Sequence, residues 1–276
     1  GAGRADGPLE SIAAIARDAV KFAGEQARAG RAAAEHEVQA RIMEAFGREG
    51  LVCDHPPNVS VGANAANPHY EPSLDNVQLI TKGNVLLIDL WAKEPDGVYA
   101  DQTWMAVLGA PGGRIAEIWD VVRDARDAAL TMLRDRIATQ EIVRGADVDD
   151  AARAIVDQRG FGEYFTHRTG HSIDAQALHG SGPNLDNLET REERLLIPGV
   201  GFSVEPGVSI PGRQTATVVE YSSVLPRHSS IRRAPTWMTI CRVTLRSSTA
   251  LAGIQPVRPF GRPGTLILYQ VGLPWD

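Results

Sequence analysis

Apolar residues recur three and four positions apart at Leu9, Ile12, Ile15, Ala19 and Phe22, the spacing that gathers them on one face of an α-helix. Gly30 interrupts this run, and Val38, Ile42, Met43 and Phe46 predict a second helix closed by Gly50. The pattern then turns strand-like at Val85–Leu90 and Val98–Val107. A similar order follows. Ile115, Ile118, Trp119, Val122, Ala129, Met132 and Leu133 predict a long amphipathic helix, and Val148, Ala152, Ile155 and Val156 a shorter one ending at Gly160. Strand-like segments come next at Phe202–Val204 and Thr217–Val219. A helix–helix–strands unit thus occurs twice, without a visible residue-level repeat. Two such halves would pack their sheets edge to edge, with helices outside and a cleft along the midline; a single unsymmetrical α+β domain fits the pattern too.

Composition narrows the class. The 276 residues are 43% hydrophobic and 22% charged, enough for a sizeable core, and the net charge of −6 argues against a nucleic-acid partner. Apolar runs such as Val85–Leu90 are too short to span a bilayer, so no membrane partner is expected. Gly1–Pro8 lacks the basic-then-apolar layout of a secretion signal and reads as a point of truncation. Two cysteines, Cys53 and Cys241, make neither a disulfide framework nor a thiolate cluster, and predict buried free thiols in a reducing cytoplasm.

Candidate chemistry sits at the ends of the apolar strands. Tyr99, Asp101, Thr103 and Met105 alternate along one face of a strand, and Asp89 ends the run before it. Burying such carboxylates is costly unless something neutralises them. The turn Glu94-Pro-Asp-Gly97 would bring Asp89 and Asp101 side by side, where a shared proton or a cation must hold them together. Further ligand types follow: Thr166-His-Arg-Thr-Gly-His-Ser-Ile173, then His179, then Ser203-Val-Glu-Pro-Gly207, then Val218-Val-Glu220. Four carboxylates and one imidazole make an oxygen-rich set suited to two divalent ions, which can lower the pKa of a shared water.

In this order the motifs resemble the creatinase/prolidase/methionine-aminopeptidase superfamily, M24, with its α+β pita-bread fold, and they are most similar to its Xaa-Pro aminopeptidase and Xaa-Pro dipeptidase branch. The resemblance runs from about Leu9 to about Glu220. It implies two pseudo-symmetric halves around a curved mixed or antiparallel sheet. It also implies a peptidase using a hydroxide that bridges two metal ions, with Mn²⁺ favoured over Co²⁺ or Zn²⁺. Asp89 would chelate one ion, Asp101 and Glu220 would bridge both, and His171 and Glu205 would hold the second, with Glu205 also shuttling protons. His69, in Pro68-His-Tyr70, and His167 match substrate-side histidines. His179 matches a third, placed to stabilise an oxyanion. Thr103, two positions after Asp101, would steady that carboxylate, while Trp91 and Trp104 are expected in sheet packing. The implied substrate is a peptide with proline second, and the implied assembly a homodimer.

Some positions depart from the family pattern. Asp89 to Asp101 and His171 to His179 are each one residue longer than usual, and Asp174 stands where glycine is common. The last ligand reads Val218-Val-Glu220 rather than Arg-Ser-Glu or Arg-Thr-Glu. Beyond it lie seven arginines and no acidic residue before Asp276. A catalytic domain over 8–220 is therefore expected, without the usual preceding creatinase-like domain. Residues 221–276 read as a divergent, basic, loop-rich tail; the competing expectation is a shift of reading frame or a misplaced gene end near or before Glu220. An impaired pita-bread binding module and a metal-free creatinase-like amidinohydrolase are the alternatives, and the retained carboxylates weigh against both.

Overall fold

The structure, a computed structural model, describes residues 6–67 and 69–210, and the backbone of three short strands beyond them. Two helices lead, α1 (Asp6–Arg28) and α2 (Glu35–Glu49), followed by β1 (Asn58–Val61), β2 (Val85–Ala92) and β3 (Ala100–Val107). The order then repeats as α3 (Gly113–Ala138), α4 (Gly145–Gln158), β4 (Ser172–Ile173), β5 (Gly201–Ser203) and β6 (Ser222–Val224). β1, β2 and β3 pair antiparallel in sequence order, as do β4, β5 and β6; β8 (Tyr269–Gln270) lies parallel to β3 and pairs with β7 (Gln255–Pro256).

The duplication reaches individual hydrogen bonds. Before α2, Glu35 N–H donates to the Gln78 carbonyl and Ile80 N–H to that of Ala33; before α4, Gly145 donates to Arg194 and Leu196 to Val143. In both helices the third residue's carboxylate takes the backbone N–H at the N-cap: Glu37 from Ala34 at 2.7 Å, Asp147 from Arg144 at 3.0 Å. In each case the carboxylate satisfies a backbone donor that the helix itself cannot. Gly50, at φ 69°, closes α2 in the left-handed conformation that glycine adopts without a steric penalty.

Alternation along β2 splits its environment. Leu86, Ile88 and Leu90 join Ile12, Ala16, Ala19, Val38, Ile42 and Phe46 in a core under α1 and α2. Val85 and Leu87 face the other way, into a core with Ile118, Val122, Ala129, Val148, Ala152 and Phe202. The first sheet is therefore covered on one side by its own helices and on the other by the second half. Met43, predicted inward, is 36% exposed. Cys53, expected buried, is half-buried. Thr217–Val219 and Cys241 lie outside the described residues. Among the described residues, no helix is long and apolar enough to cross a membrane.

Candidate metal centre

β2 and β3 run in unbroken register from Val85↔Val107 to Ala92↔Ala100. In the connection between them, Gly97 N–H closes a turn onto the Glu94 carbonyl at 2.8 Å, and proline suits its second position. Asp89 stands opposite Thr103, and Asp101 opposite Trp91. The aspartates are thus diagonal neighbours on one face rather than directly paired, a separation side chains can span. Thr103, expected to steady Asp101, donates its Oγ1–H to Asp89 Oδ1 at 3.0 Å, across the strand pair.

The second half delivers its residues from short strands and loops. Thr169 is tied to the buried Asp149 of α4 through its N–H (2.9 Å) and its hydroxyl (2.7 Å). Arg153 bridges Asp149 to the Phe165 and His167 carbonyls. At position 170 a Cβ would lie 2.1 Å from the Ser203 carbonyl oxygen, so only glycine admits the neighbouring chain. Ser203 N–H then donates to the His171 carbonyl and Glu205 N–H to that of Thr169. Ser203 Oγ accepts from His171 N–H at 3.0 Å and donates to Glu205 Oε1 at 2.9 Å. The spacing of Thr-Gly-His and Ser-Val-Glu follows from these contacts.

All seven described candidates, His69, Asp89, Asp101, His167, His171, His179 and Glu205, line one cavity of about 720 Å³. His171 Nδ1 meets the Ser172 carbonyl at 3.0 Å, which aims Nε2 at Asp101 Oδ2 and Glu205 Oε1, each 3.3 Å away. The His179 ring stands edge-on to that of His171, centroids 4.3 Å apart. His69 is exposed on its loop, and His167 Nδ1 contacts the Arg168 carbonyl. Glu220 lies outside the described residues.

The electrostatics are those of crowded negative charge. Burial, then Asp101 and Glu205, push Asp89 well above the usual carboxylate range. Asp89 lines a cavity wall, so solvent reaches it although protein surrounds it. Burial and Asp101 likewise raise Glu205 against the pull of His171. Burial alone would lower the His171 pKa, but Glu205 and Asp101 outweigh it and hold it up at about 9. Burial and the positive charges of His171 and Arg168 depress His179 to about 4.

Among the described residues no group of three or more His, Cys, Asp and Glu is set to hold a metal ion as the side chains stand; the imidazole closes directly onto the two carboxylates. The donor chemistry nonetheless fits divalent cations. Three carboxylates converge at one end of the cavity, with the His171 imidazole against two of them. Carboxylate with imidazole is a donor set for Mn²⁺, Co²⁺ or Zn²⁺.

Over residues 9–232 the sequence matches metallopeptidase family M24, a span that takes in Glu220. The chain belongs to metallopeptidase family M24. An Xaa-Pro dipeptidase of Lactobacillus helveticus is 34% identical over 154 residues, 56% of the M24 chain and 38% of that protein. Dipeptidase PepE from Mycobacterium ulcerans superposes with a TM-score of 0.64 at 27% identity, covering 80% of the M24 chain and 55% of its own. The X-Pro aminopeptidase from Thermotoga maritima MSB8 gives 0.64 at 26% identity, with coverages of 79% and 57%. The M24 chain therefore spans between 38% and 57% of the length of these relatives. Its fold is the α+β pita-bread fold, with the cavity between the halves.

Several residues of the cavity escaped the sequence reading. Trp91, expected in packing, lines it and donates Nε1–H to Asp54 Oδ1 at 2.6 Å; Asp54, Asn58, Arg168 and Glu189 line it too. Trp104 does pack against the core under α1 and α2. Only the alternation of β2 could have pointed to Trp91, two positions after Asp89. Asp174, the departure from the family pattern, accepts the N–H groups of Gln176, Ala177 and Ser181 and so organises the loop that carries His179.

Proposed function

We propose that this chain is the catalytic unit, over 8–220, of a dinuclear-metal-dependent peptidase that cleaves Xaa-Pro peptides in the cytoplasm. The observation that carries the reading is the convergence of seven side chains on one cavity, with His171 Nε2 3.3 Å from both Asp101 and Glu205. Asp89, Asp101, His171, Glu205 and Glu220 would hold two divalent ions, Mn²⁺ foremost. Bound ions supply Lewis acidity and a readily ionised water. Glu205, fixed by the Ser203 hydroxyl, accepts the proton of the attacking water and returns it to the departing proline nitrogen. His179 donates to the carbonyl oxygen as it gains charge. His69 and His167 bind the peptide on the substrate side. The Xaa-Pro preference is supported by the relatives' own names; the cytoplasmic setting, by the two cysteines.

The test is equilibrium dialysis against Mn²⁺, Co²⁺ or Zn²⁺ followed by assay on Ala-Pro. About two ions per folded chain and metal-dependent release of proline are expected. A folded chain that binds no metal is instead a binding module, or a metal-free hydrolase if it still turns over amides.

A further inference from the structure

We propose that Lys93 is a positioning residue for His179: from the tip of the β2–β3 hairpin it crosses to the other half of the chain and holds the loop that presents this histidine to the cavity. The inference rests on the peptidase reading above and adds what sets the histidine's place relative to the carboxylates.

Lys93 follows directly on β2, and its backbone pairs with Val52 through N–H to carbonyl bonds in both directions, at 2.8 and 2.9 Å. Its backbone is thereby anchored in the first half. The ammonium is directed elsewhere. It donates to the carbonyl of Ala175, in the second half, and stands over the Tyr99 ring, 5.1 Å from the centroid. Tyr99 is itself buried, and its N–H donates to the Asp174 carbonyl at 3.3 Å. Two consecutive carbonyls of one half thus receive donors from the two sides of the other half's hairpin. Carboxylates at Glu94 and Asp96 lie nearer along the chain, so a lysine serving only surface charge has closer partners. Fixing its long side chain on a backbone carbonyl costs rotamer freedom, and what is gained is a tie between the halves.

The held segment can pass its position on. Asp174 accepts the N–H groups of Gln176, Ala177 and Ser181. At the far end Gly180 N–H donates to the Ser172 carbonyl and the Ser172 hydroxyl to that of Gly180, each at 2.6 Å. His179 lies inside this closed loop. Ala177, Leu178 and His179 line the cavity from the second half, as Trp91 and Asp54 do from the first. Lys93 stands two residues after Trp91, and Tyr99 two before Asp101. The hairpin whose strands carry Asp89 and Asp101 therefore also fixes, at its tip, the backbone from which His179 meets the His171 ring, centroids 4.3 Å apart. The two stretches whose lengths depart from the family pattern, 89–101 and 171–179, join in this contact. Misplacing a reacting group by about 1 Å costs on the order of a hundredfold in rate, so a tie of this kind bears on turnover.

The experiment removes the donor and keeps the stem. In the metal-free full chain labelled at histidine, the His179 ring resonances are identified by their loss in His179→Ala. They are expected to shift or broaden in Lys93→Met and to stay in place in Lys93→Arg. Lys93→Gln, too short to reach Ala175, repeats the measurement should the methionine variant not fold. With Mn²⁺ and Ala-Pro, Lys93→Met is expected to lower kcat on the order of tenfold to a hundredfold, with KM nearly unchanged and the metal stoichiometry unaltered; Lys93→Arg recovers most of the loss. Added to His179→Ala, Lys93→Met should cost nothing further, because its effect passes through that ring. An unmoved His179 signal in the folded variant overturns the assignment. So does an unchanged kcat, or a loss that persists in full on top of His179→Ala. The two readings fail separately. A moved signal in a chain that hydrolyses nothing sinks the peptidase and keeps the lysine tie, whereas hydrolysis at an undiminished rate by Lys93→Met does the reverse.

Discussion

Equivalent positions at the starts of α2 and α4 carry different residues and reach a similar end. Glu35 turns a buried carboxylate inward, where it accepts from the Val61 N–H, the Asn64 amide and the Tyr70 hydroxyl, and so fixes the segment that carries His69. Its counterpart is Gly145, where a Cβ would fall 1.8 Å from the Asn184 carbonyl and 2.6 Å from Glu192 Cγ. Here the carboxylate comes from the opposite loop: Glu192 accepts the N–H groups of Asn184 and Arg194 and the Arg194 guanidinium. The first half then continues into two eight-residue strands, whose ladder and apolar faces place Asp89 and Asp101. The second half has described strands of two and three residues and relies on polar hubs at Asp149, Ser203 and Glu192 to place His171 and Glu205. One architecture can be held by sheet packing or by buried hydrogen bonds, and the second way leaves loops free to carry histidines.

The largest consequence falls on Asp149. Replacing it with alanine strands Arg153 and two donors of Thr169 in the interior and should cost about 3–5 kcal/mol of stability in urea unfolding. Gln39, the counterpart on α2, donates one bond to the Pro57 carbonyl, and Gln39→Ala should cost about 1 kcal/mol. Equal costs would mean that the halves are not held differently. Glycine substitutions should diverge next. Gly170→Ala meets the Ser203 backbone and should lose about 1–3 kcal/mol from overpacking. Gly47→Ala, in open space on α2, should gain about 0.5–1 kcal/mol through helix propensity; thermal melts of both give the sign directly.

The hydroxyl supports are where the halves should agree. Thr103→Val and Ser203→Ala each remove the partner of one carboxylate and should each weaken Mn²⁺ binding by about 10- to 100-fold. A loss confined to one of them would show that only that half sets the metal. The smallest effect is one of pH. Hydrogen bonds from Arg194, working against burial, bring Glu192 down to about 2. A carboxylate depressed in the folded chain stabilises it above its ordinary pKa and loses that contribution as pH falls toward 2. Glu192→Gln should therefore flatten the stability profile between about pH 4.5 and 2, only modestly, since Arg194 is largely exposed and screened.

The same contrast governs what could be read in advance. Helical periodicity and the alternation of β2 and β3 report apolar burial, and those elements stand where the pattern put them, except that β3 begins at Ala100 rather than Val98. β4 and β5 are too short for alternation to register, and they are held by side chains distant in sequence. Asp149 illustrates the difficulty: it looks like one more polar residue on an amphipathic helix, and only the return of Thr169 and Asn187 to it reveals the hub. The candidate site was legible because its chemistry requires particular residues in a particular order. Arg168, Asp54 and Trp91 were not, since facing a cavity is a property of tertiary register.

The unbroken β2–β3 pairing also constrains folding. If one strand slid by a single residue, alternation would swing its aspartate out of the cavity and under the apolar sides of α1 and α2. A bare carboxylate there has no partner and would cost several kcal/mol, whereas a misaligned strand of valines and leucines would be tolerated more readily. Asp89 and Asp101 should therefore disfavour the slipped pairing, and a chain with both replaced by leucine should refold with a second, slipped population.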